Sequence, residues 1–223
     1  MMREIDATLT DYGLAIECAL LAISLGRSSD RDVALKWAGA GFFAFMGISA
    51  ALGGTVHGFC PDLTSTACQA LWQLTLQAIG LSAISMWILG TSLIVLGPGR
   101  RLLAGVGVLM LVAYSVAAVL VTQQFWIAFT IYLPAAHLLL AGFFVAARRA
   151  PLPAAVGATG SLLSFLSSGI QMAKVGVHPI YFSHNALVHV VQAAALYLMF
   201  RGVAGLALRV PGAADVSETP APS

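Results

Sequence analysis

The chain has 223 residues, of which 59% are hydrophobic and only 9% are aspartate, glutamate, lysine or arginine. A globular protein has about a quarter charged residues, so a soluble fold is excluded, and disordered chains are likewise polar and charged. The net charge of +2 comes without a basic cluster larger than two adjacent arginines, which argues against a nucleic-acid partner. The composition therefore predicts an integral membrane protein.

Seven segments approach the roughly 20 apolar residues that a spanning helix needs. They cover residues 10–26, 37–59, 69–96, 102–122, 125–147, 154–172 and 180–200. Acidic residues rather than a positive cluster precede the first segment, so we interpret it as a retained helix and not a signal peptide. We predict an all-α fold, with one seven-helix transmembrane domain over residues 1–201 and a disordered tail over residues 202–223.

The distribution of basic residues predicts how the helices cross the membrane. Nine of the eleven lysine and arginine residues fall on one side of the predicted spans, and Arg3 and Lys174 fall on the other. The positive-inside rule then puts the N-terminus outside and the C-terminus in the cytoplasm. Abundant alanine and glycine with short loops are typical of a bacterial protein, so we expect a multi-pass protein of the plasma (inner) membrane.

The cysteines leave two alternatives. Cys60 and Cys68 fall in the outer loop between the second and third helices, where a disulfide and two free thiols are equally consistent with the sequence. Cys18 lies inside the first helix, and we interpret it as a small apolar filler.

Polar side chains concentrate in the predicted outer half of the membrane, where an unpaired polar group costs several kcal/mol. Glu17 lies on the first helix, His57 ends the second, and Gln171 ends the sixth. The other members are Gln69, Gln73 and Gln77 on one face of the third helix, and His178, His184, Asn185, His189 and Gln192 before and along the seventh. This convergence predicts one polar site. The glutamines alone are equally consistent with contacts that hold helices together, and we interpret His137 as a hydrogen-bonded interior residue.

Two short motifs suggest a family. Gly53-Gly54-Thr55-Val56-His57 on the second helix and His184-Asn185-Ala186-Leu187-Val188-His189 on the seventh resemble the histidine motifs of the CREST superfamily. That group includes the alkaline ceramidases, the progestin and adipoQ receptors and Per1-like proteins. The chain is also similar to an uncharacterised family of bacterial membrane proteins with a His-Asn-x-Leu-x-His-x-x-Gln signature. In this chain the paired histidines are five residues apart, about 140° around a regular helix, where the superfamily has four.

The resemblance implies a zinc ion held by His57, His184 and His189, and hydrolysis of an amide or ester of a membrane lipid. Three neutral imidazoles leave a fourth zinc position for a water molecule whose pKa falls to about 7. Glu17 is the expected proton acceptor and donor. Supporting residues would orient the ligands or the substrate carbonyl. These supporting residues are Gln73, Asn185, Gln192 and His178.

Other functions remain open. A buried carboxyl group among histidines is also typical of a proton-coupled transporter or proton relay, although the halves show no repeat and the third and fourth helices turn wholly apolar inward. A b-type haem between His57 and His189 and a non-catalytic scaffold are further alternatives. A retinal protein is disfavoured because the only lysines are Lys36 and Lys174, and neither lies on the seventh helix.

Overall fold

The computed structural model describes residues 4–28, 33–95, 97–178 and 181–207. These residues confirm the all-α prediction, because they form seven helices that are long and apolar enough to cross a membrane. The helices are α1 (Ile5–Arg27), α2 (Val33–Phe59), α3 (Thr66–Ile94), α4 (Gly99–Leu120), α5 (Trp126–Ala146), α6 (Pro151–Ala173) and α7 (His184–Ala207). The described part of the chain contains no strand beyond an isolated bridge between His178 and Phe182. The chain is a multi-pass membrane protein.

Six of the helices form a ring. Going around it, α1, α2, α3, α5, α6 and α7 each pack against the next, and α7 closes the ring against α1. Helix α4 lies outside the ring against α3 and α5. There the Tyr114 hydroxyl donates a hydrogen bond to the Leu76 carbonyl at 2.8 Å, and its ring lies over Gly80, where a Cβ would come within 2.7 Å of it.

Short connections make the helices alternate in direction, so α1, α3, α5 and α7 all begin at the same end of the bundle. We call this the N-terminal end, and the half of the bundle farthest from it the packed half. In the packed half α6 and α7 approach closely, since a Cβ on Gly202 would lie 2.5 Å from the Cα of Gly157. Small residues permit this approach in membrane helices. The fully buried rings of Phe42, Phe43 and Phe143 complete this half of the core.

The first and the last helix differ most from their predicted limits. Helix α1 begins at Ile5, about five residues earlier than expected, and the acidic side chains at this end, Glu4 and Asp6, contact α2 and the residues at the start of α7. Helix α7 begins at His184, after Ser183, whose hydroxyl accepts a hydrogen bond from the N–H of Ala186 at 3.4 Å. It continues to Ala207, so residues 202–207 of the predicted tail are helical, and residues 208–223 lie outside the described residues.

The structure decides between the two alternatives for the loop cysteines. Cys60 and Cys68 form a disulfide that links the end of α2 to the start of α3. At that start, Ser65 caps α3 by accepting a hydrogen bond from the N–H of Cys68 at 3.2 Å. Cys18 is fully buried as expected, and its Cβ would lie 3.0 Å from a Cβ added at Gly47.

Candidate functional site

A cavity of about 360 Å³ lies inside the ring, in the half nearest the N-terminal end. All six ring helices, with Phe125 just before α5, line it, and α4 contributes no side chain. This volume is typical of a pocket for a small molecule. One part of the wall is polar and ionisable, with Asp11, His57, Gln171, His184, Asn185, His189 and Gln192. Another part is aromatic, with Trp72, Phe125, Phe129 and Tyr132.

The three histidines of the predicted ligand set all line this cavity. His57 reaches it from the last turn of α2, and His184 and His189 reach it from the first two turns of α7. The polar site predicted from the sequence therefore exists as a set of residues around one cavity.

The most buried ionisable contact in the cavity joins α1 to α7. Asp11 is 4% exposed, and its Oδ1 lies 3.2 Å from Nε2 of His189. Asp11 fits closely against α2 because Gly54 has no side chain there, and a Cβ at Gly54 would lie 2.8 Å from that of Asp11. Oδ2 of Asp11 has no hydrogen-bond partner among the described residues.

The neighbours of this contact determine how many protons it holds. The single hydroxyl hydrogen of Thr10 goes to the carbonyl of Asp6 at 2.8 Å or that of Ala7 at 3.0 Å. We assign Thr10 as the acceptor in its 3.0 Å contact with Nδ1 of His189, because a hydroxyl hydrogen directed at either carbonyl leaves only lone pairs facing the imidazole. Nδ1 then carries a hydrogen, and in the neutral imidazole Nε2 has only a lone pair. A hydrogen bond between Nε2 and Asp11 thus requires one proton shared by the two side chains.

A second pair of carboxylate and imidazole lies nearer the N-terminal end. Glu4 Oε2 is 2.9 Å from Nδ1 of His57 and accepts a hydrogen bond from the Asn185 amide at 3.3 Å. The Asn185 Oδ1 in turn accepts from Gln171 at 3.3 Å. Asp6 reaches the same end of α7, where its Oδ2 accepts the N–H of Ser183 at 2.7 Å. We call Glu4, Asp6, His57, His184 and Asn185 the rim.

A hydrogen-bonded cluster continues from the cavity toward the middle of the bundle. The Gln192 Oε1 accepts from the Ser164 hydroxyl at 3.1 Å, and its amide donates to the Tyr132 hydroxyl at 3.4 Å. Tyr132 and Ser164 are 3.2 Å apart. Ser161 and Ser167 lie on the same buried face of α6, and Ser167 donates to the Val188 carbonyl of α7 at 3.1 Å.

Neither these serines nor Asp11 were predicted from the sequence. The α6 serines carry a readable signal, because positions 161, 164 and 167 recur every three residues and share one helix face. Asp11 is the second residue of the predicted first span, and Glu17, deeper in that span, was the carboxyl group assigned to the site.

Other candidate residues lie away from the cavity. Glu17 is half-buried on α1 but does not line the cavity, and Asp11 occupies the position expected for it. Gln73 does not line it either, and its amide atoms are buried without a partner among the described residues. His178 lies in the connection before α7, where its Nδ1 accepts the N–H of Tyr181 at 3.2 Å. His137, predicted to be a hydrogen-bonded interior residue, has its Nδ1 2.8 Å from the Leu133 carbonyl, but it is exposed on α5. Its ring centroid lies 4.6 Å from that of Phe165.

The arrangement does not fit a zinc ion held by three histidines. Both ring nitrogens of His189 are engaged, Nδ1 by Thr10 and Nε2 by Asp11. Within residues 4–28, 33–95, 97–178 and 181–207, no group of three or more histidine, cysteine, aspartate or glutamate side chains is arranged to hold a metal ion. The zinc ligand set therefore stays a prediction that the geometry of these side chains does not support.

Comparison with known proteins gives one match. The model of a family described as a family of unknown function, DUF6962, matches residues 7–208. No curated protein matches the chain, and no solved structure matches it. The matched stretch includes every residue that lines the cavity. The match does not bear on the CREST resemblance, which stays a prediction.

Proposed function

The chain belongs to DUF6962, a family of unknown function, and we propose that it is a proton-coupled transporter of a small molecule that binds in the cavity. The observation that carries this proposal is the buried contact between Asp11 and His189, in which a carboxylate oxygen lies 3.2 Å from an imidazole nitrogen and the two side chains can share one proton. Ionisable groups are costly inside a membrane and typically belong to a pathway for ions or substrates.

The polar cluster below this pair favours proton movement. Gln192, Tyr132 and Ser164 form a closed set of hydrogen bonds about one helical turn beyond His189. Hydroxyl groups both donate and accept hydrogen bonds, so they can relay a proton. The apolar inner halves of α3 and α4 argued against a path along those two helices, but buried serines extend the polar side chains along α6 as far as Ser161, near the middle of that helix.

The cavity itself favours a small molecule as the transported partner. Its volume of about 360 Å³ is in the range of pockets that enclose drug-sized ligands. In the orientation that the positive-inside rule predicts, the rim is at the outer surface and the cavity is loaded from outside.

Proton flux through purified protein in liposomes tests the proposal, with a pH-sensitive dye inside and a potassium diffusion potential as driving force. We expect Asp11→Asn to reduce the flux by at least about tenfold, since the amide cannot exchange the shared proton. Glu17→Gln is the matched control, because it removes the other membrane-embedded carboxyl group of α1 and should leave the flux unchanged. Equal flux in wild type and Asp11→Asn would overturn the proposal.

A lipid hydrolase is the second candidate, and the pair of Glu4 and His57 favours it. The carboxylate fixes the hydrogen on Nδ1, and the described residues give Nε2 no hydrogen bond, so Nε2 is available as a general base toward the cavity. A membrane lipid would be the substrate. Release of fatty acid from ester and amide lipids, compared between wild type, His57→Ala and His137→Ala, tests this function. Metal analysis of the same wild-type preparation tests the zinc prediction.

A further inference from the structure

We infer that the molecule bound in the cavity is an organic cation with an apolar body, and that its binding expels the proton held between Asp11 and His189. This inference rests on the proposed transport function, because it names the ligand class and the exchange that would couple its movement to that of protons.

The charges around the cavity favour a cation over an anion. Among the described residues, no lysine or arginine lines it, and Asp11 is the carboxylic acid in its wall. The other titratable groups that face the Asp11–His189 pair are the imidazoles of His57 on α2 and His184 on α7, with Glu4 and Asp6 at the rim. An anion would meet carboxyl groups without a fixed positive charge to balance it.

Part of the wall suits an ammonium group attached to an apolar body. Trp72 from α3 and Phe125 before α5 have ring centroids 6.2 Å apart, and Phe129 packs edge-on against Phe125 at 5.6 Å. With Tyr132 they place four aromatic side chains on the α3 and α5 side of the cavity. A cation is attracted to aromatic faces most strongly where water is displaced.

The exchange follows from counting charge. With the cavity empty, Asp11 and His189 share one proton and the pair is neutral overall. An ammonium group beside Asp11 forms an ion pair with the carboxylate, His189 remains neutral with its hydrogen on Nδ1, and the shared proton leaves to water through the cavity. One positive charge enters and one leaves, so the buried site keeps its net charge. The cation and the proton therefore compete for one carboxylate, which would drive their movement in opposite directions across the membrane.

Calorimetric titration of the full-length protein in nanodiscs tests this inference. The probe is phenethyltrimethylammonium, which carries no exchangeable proton, so any proton released comes from the protein. The control ligand is the neutral analogue in which carbon replaces nitrogen. We expect the cation to bind at least about tenfold more tightly than the neutral analogue. Titrations in phosphate and Tris, whose heats of ionisation differ, should show release of about one proton per cation bound.

Two variants complete the test. Asp11→Asn should lose the preference for the cation and the proton release, and Glu17→Gln should keep both. The number of protons released per cation bound by the wild type can be measured even if a variant does not fold. Equal affinity for the two ligands, binding without proton release, or no detectable cation binding would each overturn the inference. If cation binding is not detected but the proton flux still depends on Asp11, only the ligand class is wrong. If the proton flux does not depend on Asp11 either, the proposed transport function is also wrong.

Discussion

Helices α6 and α7 pack together along their whole length, but their contacts differ between the two halves of the bundle. In the packed half, the backbones meet at Gly157 and Gly202 without room for a side chain. Toward the N-terminal end, the same helices are connected by side-chain hydrogen bonds, from Ser164 to Gln192 and from Gln171 to Asn185. Backbone contact fixes the helix axes in one half, which lets the other half keep a cavity lined by ionisable groups.

This difference predicts that stability depends mainly on the packed half. Gly202→Val should lower the free energy of unfolding by about 3 kcal/mol, because its Cβ would lie 2.5 Å from the Gly157 backbone and the helices must separate. Unfolding of the purified protein in increasing SDS, followed by circular dichroism, measures this. Gly105→Val on α4 is the control, since nothing lies within 4 Å of a Cβ there. Similar stability of both variants would contradict the comparison.

A second prediction concerns the covalent link at the N-terminal end. Replacing Cys60 and Cys68 by serine removes a loop closure between residues eight positions apart. The chain-entropy model puts this loss at about 2.5 kcal/mol of unfolding free energy. Reduction of the wild type should reproduce the loss, and reductant should not affect the double variant. A reductant effect of equal size in the double variant would show that the change does not come from this disulfide.

The smallest loss of stability is expected in the cluster of Ser164, Gln192 and Tyr132, where a substitution should instead reduce proton flux. Gln192→Leu removes the partner of Ser164 and Tyr132 but leaves those two bonded to each other, so the free energy of unfolding should fall by only about 1 kcal/mol. Proton flux should fall by about tenfold if the cluster relays protons. Gln73→Leu is the matched control outside the cavity. The Gln73 amide has no hydrogen-bond partner among the described residues, so its removal should leave proton flux and stability unchanged. Unchanged flux in Gln192→Leu would exclude the cluster from the path.

Much of the fold could be predicted because membrane-spanning helices depend on length and apolar composition. The seven helices and the convergence of His57, His184 and His189 on one region both followed from the sequence. The start of α1 was misplaced because its first turn is polar, and composition does not reveal that Glu4 and Asp6 have partners on other helices.

The choice of carboxyl group shows why the site was harder to predict than the fold. Asp11 and Glu17 are six residues apart, so they point about 120° apart around α1. Depth in the membrane favoured Glu17, but the packing of α2 decides which side of α1 faces inward. Gly53 and Gly54 make room for Asp11, and a single sequence does not say which helix lies opposite these glycines.

The rim has a practical consequence for work with this protein. Glu4 lies just before α1 and Asp6 lies in its first turn, and together they contact His57, Asn185 and the backbone of Ser183. An affinity tag or a fluorescent fusion added ahead of them would sit beside the rim and compete for these contacts. Attachment after α7 places the addition at the opposite face of the bundle, away from the cavity.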